Sequence, residues 1–332
     1  MLITSVNDPE IFNPEKYQDN DLYFEVLSRH IDNLQKFHIL LVCKGKYEST
    51  MLKTIRGYLS KLPPKIAYNF STKLSALLTD KNKFIRLKPN EERIDKLSGL
   101  LDNISSKAAV GLSSYKNDVF IVEKNTITAM ELAEIEQPEI YLLSKYSNSK
   151  ARALERFYSE GIDLGNMTVD EMIAKVLSPL LYWAPTVRII DKYINISAQG
   201  KKGDNWPIFK NTIRKIYEIW ENGNGYKLDN TKERFEIISS IETKCPNEAE
   251  LLAQKLDLPK KNQVVIKLKS ISIPEEFHDR YIQTPRLTVG FSRGFDLINL
   301  DKLRPSSVYR HSKPIQALDD LIYSRNNKTF IW

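Results

Sequence analysis

Phosphodiester chemistry needs a group that attacks or transfers a proton and fixed positive charge to hold the oxygens, and His278-Asp279-Arg280 offers both. In the extended segment Phe277 to Thr284, side chains alternate, so His278 and Arg280 share one face while Asp279 and Tyr281 share the other. After the turn at Thr284-Pro285 a second extended segment leads into Gly290-Phe291-Ser292-Arg293-Gly294-Phe295-Asp296. There two glycines let the backbone approach a partner closely, and Arg293 adds a cation suited to cradling phosphate. A structural reading of the same residues has His278 and Asp279 bonding to neighbouring strands and Arg293 pairing with Asp296.

Other candidates carry less. Asp8, Glu25 and Asp118 are acids near element ends that could hold a divalent ion as in a PIN-like nuclease, although most α/β domains have such acids. His30 and His38 lack a paired ligand spacing and read as packing or surface histidines. Asn222 to Gly225 is a turn without nucleotide-loop spacing, and Trp183, Tyr193, Trp206 and Trp220 read as core. Lys302, Arg304, Arg310, His311 and Lys313 form a basic tail that could extend an anion-binding surface from Arg280 and Arg293.

These residues need elements to position them. In the first half, apolar spacing predicts helices over Leu22 to Phe37, Glu48 to Leu62, onward to Leu78, and near Ile94 to Ile104. Short apolar runs at His38 to Val42, Phe84 to Leu87 and Val119 to Val122 predict buried strands. Pro63-Pro64 must stop the second helix. The alternation implies an α/β domain over 1–148, its boundary at the polar Ser147-Asn148-Ser149. In 149–332, helices begin at Ala151 and Val169, and strands are expected at Thr186 to Ile190, Phe235 to Ile241 and Val264 to Leu268. Amphipathic helices run over Trp206 to Trp220 and Glu248 to Leu256.

With 332 residues, 42% hydrophobic and 27% charged, the chain suits two folded domains. A net charge of +7 favours an anionic partner, nucleic acid or an acidic membrane surface. Cys43 and Cys245 have no disulfide or zinc spacing, and Met1 to Asn20 lacks the features of a signal peptide. A cytoplasmic protein with no cofactor and no bound metal is expected.

Phe277 to Ile282, then Val289-Gly290 and Ser292 to Asp296, resemble the HDRxI and GRGLD signature of the C-terminal domain family of MIT-domain proteins. Val187 to Ile194 is similar to that family's strand ending in DPYI, with Lys192 in place of Pro, and Ser292 replaces the first Gly of the glycine-arginine-glycine run. The resemblance covers the second half and implies a phospholipase D-like mixed-sheet domain. It implies that Asp191, Asp279, Arg280, Ser292, Arg293 and Asp296 form a ligand-binding surface. Phospholipase D enzymes pair two His-x-Lys strands, whereas this half offers His278-x-Arg280 once, and Arg is not interchangeable with Lys. The expectation is therefore recognition of a phosphodiester or anionic ligand without turnover, nucleic acid foremost. The alternatives are a homodimeric phosphodiesterase or nuclease using His278, and a structural subunit that binds protein. Stand-alone prokaryotic relatives in conflict-related gene neighbourhoods imply an antiviral defence role.

Overall fold

A computed structural model describes residues 3–7, 9–16, 20–43, 46–80, 83–87, 118–122, 139–142, 147–191, 194, 206–223, 234–240, 247–259, 264–269, 280–300, 302–311 and 327–331. The fold is α/β, and its contacts divide the chain into two compact units, Leu2–Arg156 and Phe157–Trp332.

The first unit is built on five parallel strands, β1 (Ile3–Asn7), β2 (His38–Cys43), β3 (Phe84–Leu87), β4 (Asp118–Val122) and β5 (Glu139–Leu142), in the order β3-β2-β1-β4-β5. Helix α1 (Asn20–Phe37) buries Leu27, Ile31 and Leu34 at the spacing the sequence predicts, but Tyr23 takes the place expected for Leu22, which is exposed. Helix α2 (Lys46–Leu59) ends before Pro63-Pro64, and Pro64 opens α3 (Pro64–Thr79) at a first-turn position where its missing N–H costs nothing. Strands β1 and β5 escaped the sequence reading because they are short and carry no uninterrupted apolar run. The helix expected near Ile94 to Ile104 lies outside the described residues.

Helix α4 (Lys150–Glu160) follows Ser149, whose Oγ accepts a bond from the Arg152 N–H at 2.9 Å. The contact division between Arg156 and Phe157 falls within this helix.

The second unit contains a mixed sheet of β6 (Ile162–Asp163), β7 (Thr186–Ile190), β8 (Arg234–Ser240), β9 (Val264–Lys269), β10 (Arg280–Gln283), β11 (Thr288–Phe291), β14 (Ser307–His311) and β15 (Asn327–Ile331). Their order is β15-β9-β8-β7-β10-β11-β14-β6, with β7, β8 and β9 parallel and the rest antiparallel to their neighbours. A two-residue hairpin, β12 (Ile298–Asn299) with β13 (Lys302–Leu303), stands apart from that sheet.

Helix α5 starts at Val169 under a complete capping box between Thr168 and Glu171, then passes through a π-helical stretch, Ile173–Leu177, into Ser178–Leu181. Helix α6 (Trp206–Gly223) lays Ile213, Ile216, Tyr217 and Trp220 on the sheet face made by Val187, Ile189, Phe235 and Ile237. Trp220 is fully buried and still donates its indole N–H to the Ala184 carbonyl at 2.8 Å. Helix α7 (Glu248–Leu256) joins β8 to β9 and closes on Asp257 in the left-handed conformation.

The opposite sheet face carries a polar ladder. Glu236, 2% exposed, accepts from Arg188 Nε at 2.7 Å and from Lys267 Nζ at 3.3 Å, while Arg188 Nη1 reaches Gln283 Oε1 at 3.3 Å.

Candidate functional site

The site forms at the carboxyl end of β7. Asp191 continues the strand ladder by one residue, its N–H donating to the Ile238 carbonyl at 3.1 Å. Its own carbonyl accepts from Ser239 Oγ at 2.7 Å and from the Ile194 N–H at 3.3 Å, so the backbone is fixed from both sides. Alternation turns the Asp191 side chain toward the face of Val187 and Ile189, where it is 1% exposed.

Strand β10 lies antiparallel to β7 with Tyr281 opposite Ile190, and this register sets Arg280 opposite Asp191. Arg280 Nε lies 3.9 Å from Asp191 Oδ1, on a side chain 15% exposed. The turn between β10 and β11 is closed by reciprocal backbone bonds between Thr284 and Leu287, as the Thr284-Pro285 turn requires. Beyond β11 the chain crosses back over this point. A methyl group added at Gly294 would sit 3.2 Å from Asp296 Oδ1, 3.6 Å from Asp191 Oδ2 and 3.7 Å from Arg280 Nε. Bare backbone therefore meets two carboxylates and a guanidinium.

Asp296 Oδ2 accepts from Arg304 Nη1 at 2.7 Å, across the base of the β12–β13 hairpin. The loop is pinned by the Ser292 N–H to Ser307 carbonyl bond (2.9 Å), the Ser307 N–H to Ser292 Oγ bond (2.9 Å) and the Arg293 N–H to Ser306 Oγ bond (3.3 Å). Ser292 thus serves the loop's own geometry, and the Arg293 side chain is left exposed. The expected Arg293–Asp296 pair is absent among the described residues, because Arg304 returns along the hairpin to occupy that carboxylate. Arg280 and Arg304 each face a carboxylate here, Asp191 and Asp296, and Arg293, next to Gly294 in the chain, adds an exposed cation that suits an anion. His278 and Asp279 lie outside the described residues.

The two glycines have different tasks. Gly290 faces Tyr309 across the strands, and a methyl group there would be 2.5 Å from the Tyr309 ring. Its close partner is this chain's own aromatic, not a ligand. Arg304 was read only as part of a basic tail; the two-residue hairpin that returns it to Asp296 is too short to announce itself by periodicity. That tail is no continuous surface. Arg310 lies half-buried with its pKa lowered to about 10 by burial, against an opposing effect of Tyr158. His311 lies with its ring 5.1 Å from that of Tyr309 and 5.6 Å from that of Tyr281. Lys313 is outside the described residues.

Asp118 begins β4 opposite Thr4. Glu25 is exposed and pairs with Arg29 at 2.5 Å. Asp8 itself lies outside the described residues, and among the described residues no group of three His, Cys, Asp or Glu could hold a metal. His30 and His38 are packing residues. His30 Nε2 meets Asn7 Oδ1 at 2.8 Å, and His38 Nε2 meets the fully buried Glu155 Oε1 at 3.0 Å. Trp183 and Trp220 are buried, Trp206 is half-buried and stacks on Phe209, and Tyr193 is outside the described residues.

No helix among the described residues is long and apolar enough to cross a membrane. No family model and no curated protein matches the chain.

Proposed function

We propose that the second unit is a degenerate phospholipase D-like domain that recognises a phosphodiester ligand, nucleic acid foremost, without cleaving it, in a cytoplasmic defence role. The observation that carries this reading is Gly294, whose bare backbone lies among Asp191, Arg280 and Asp296 and which follows the exposed Arg293 in the chain. Carboxylates orient Arg280 and Arg304, so part of the entropy cost of binding an anion is already met. The net charge of +7 and the planar, multi-donor heads of these arginines favour a repeated phosphate backbone. Turnover is disfavoured because the position that holds Lys in the enzymes' motif is Arg280, and its charge already faces Asp191.

The reading is tested by Gly294→Ala. Its added methyl crowds Asp296 Oδ1 at 3.2 Å without meeting backbone, so the protein should fold normally and bind a labelled oligonucleotide about tenfold more weakly, a loss of about 1.4 kcal/mol. Unchanged affinity in a folded Gly294→Ala protein would reject the site. Metal-independent cleavage of the oligonucleotide that disappears in a folded His278→Ala variant would replace recognition by the phosphodiesterase alternative.

A further inference from the structure

The acid that braces Arg304 has a second oxygen to use. Asp296 Oδ2 is occupied by Arg304 Nη1 at 2.7 Å, and Oδ1 makes no hydrogen bond among the described residues. That oxygen lies beside bare backbone, 3.2 Å from where a methyl group on Gly294 would sit. Asp191, the other acid there, has its side chain sealed from solvent, whereas the Asp296 side chain keeps 12% of its surface open. The open acceptor is also fixed in place. Phe295 is fully buried and packs on Phe291 with ring centroids 5.3 Å apart, and the Leu297 and Ile298 N–H groups both donate to Thr212 Oγ1, at 3.2 Å and 2.9 Å. Anchors on both sides thus hold Asp296 while Oδ1 stays unpaired.

A carboxylate oxygen at an anion site discriminates among anions. Phosphodiester oxygens only accept hydrogen bonds, so a ligand that offers nothing else meets Oδ1 with repulsion and leaves it without a donor. A ligand with a hydroxyl next to its phosphate turns the same contact into a charge-assisted hydrogen bond. RNA carries such a group on every nucleotide, the 2′-hydroxyl, and DNA has none. Amino groups of the bases are donors too, but the sugar holds them away from the phosphate and both polymers carry them.

Resting on the phosphodiester reading of this site, we infer that it selects RNA over DNA, with Asp296 Oδ1 accepting the 2′-hydroxyl beside the phosphate that Arg280 and Arg293 hold. The test is fluorescence anisotropy of the full chain with labelled oligo(U), oligo(dU) and 2′-fluoro oligo(U) of one length at one salt concentration. The fluoro sugar keeps the ribose shape and lacks the donor. Wild type should bind oligo(U) about tenfold more tightly than either of the others, the effect of one hydrogen bond to a charged acceptor. In Asp296→Asn, Arg304 keeps the amide oxygen and an amino group takes the place of Oδ1, so the ratio of the oligo(U) and oligo(dU) affinities should fall to about one. Equal wild-type affinity for oligo(U) and oligo(dU), or 2′-fluoro oligo(U) bound as tightly as oligo(U), overturns selection by the hydroxyl and leaves phosphodiester recognition standing. A tenfold ratio that persists in folded Asp296→Asn overturns the part given to Asp296. Binding to none of the three overturns selection and recognition together.

Discussion

Below pH 6.5 the first unit is expected to lose about 1.4 kcal/mol of stability per pH unit on account of His30 alone. Burial, aided by nearby His38 and opposed by Glu155, pushes the His30 pKa down from 6.5 to about 3. The folded protein thus keeps His30 neutral while the unfolded chain takes up a proton. The stabilisation is complete above 6.5 and is lost as the pH falls from there toward 3. His38 acts in the same direction, its pKa lowered first by burial and only partly restored by its hydrogen bond to Glu155. All four tryptophans follow residue 156, so circular dichroism lost without a change in tryptophan fluorescence reports the first unit. Urea titrations at pH 6.5 and 5 should show wild type losing about 2 kcal/mol more than His30→Asn, which cannot titrate. Equal losses in both proteins would mean that folding does not shift the His30 pKa.

Glu236→Ala is expected to destabilise the second unit by about 3–5 kcal/mol. Glu236 is 2% exposed and accepts from both Arg188 and Lys267, whose side chains are 19% and 16% exposed. Removing the acid strands two cations in the middle of a sheet, across β7, β8 and β9. The cost comes from those cations more than from the lost bonds. Adding Arg188→Met and Lys267→Met to Glu236→Ala should therefore recover most of the stability, read from denaturant unfolding by tryptophan fluorescence. A triple variant as unstable as the single one would show that the ladder is held by something other than charge compensation.

What the sequence disclosed and what it hid follow from physical scale. Helix α6 was legible because its apolar residues recur over five turns, and β7 to β9 because each is a segment of strand length rich in Val, Ile, Leu or Phe. The hairpin pairing of β10 with β11 was legible from Thr284-Pro285. Strand β14 was not, since only Val308 of its five residues is fully buried, and its Arg310 and His311 looked like a charged tail. The site was half legible: alternation aligned Arg280 with one face, but the placement of Gly294 against Asp191 depends on partners a hundred residues away. The roles of Gly290 and Arg304 are likewise set by Tyr309 and Asp296, contacts that no local pattern encodes.

The central claim, that the exposed Arg293 and the carboxylate-paired Arg280 and Arg304 hold a phosphodiester, is tested most directly by titrating a labelled oligonucleotide against wild type and Arg293→Ala across a salt series. Each neutralised phosphate releases counterions, so the logarithm of affinity should fall linearly with the logarithm of salt concentration. Arg293 is exposed and its side chain holds no partner in the loop, so its removal should leave the fold intact. The account predicts binding about tenfold weaker in Arg293→Ala, a salt slope shallower by about one, and an oligonucleotide recovered intact. Affinity unchanged by salt and by Arg293→Ala, in protein shown to be folded, would contradict it.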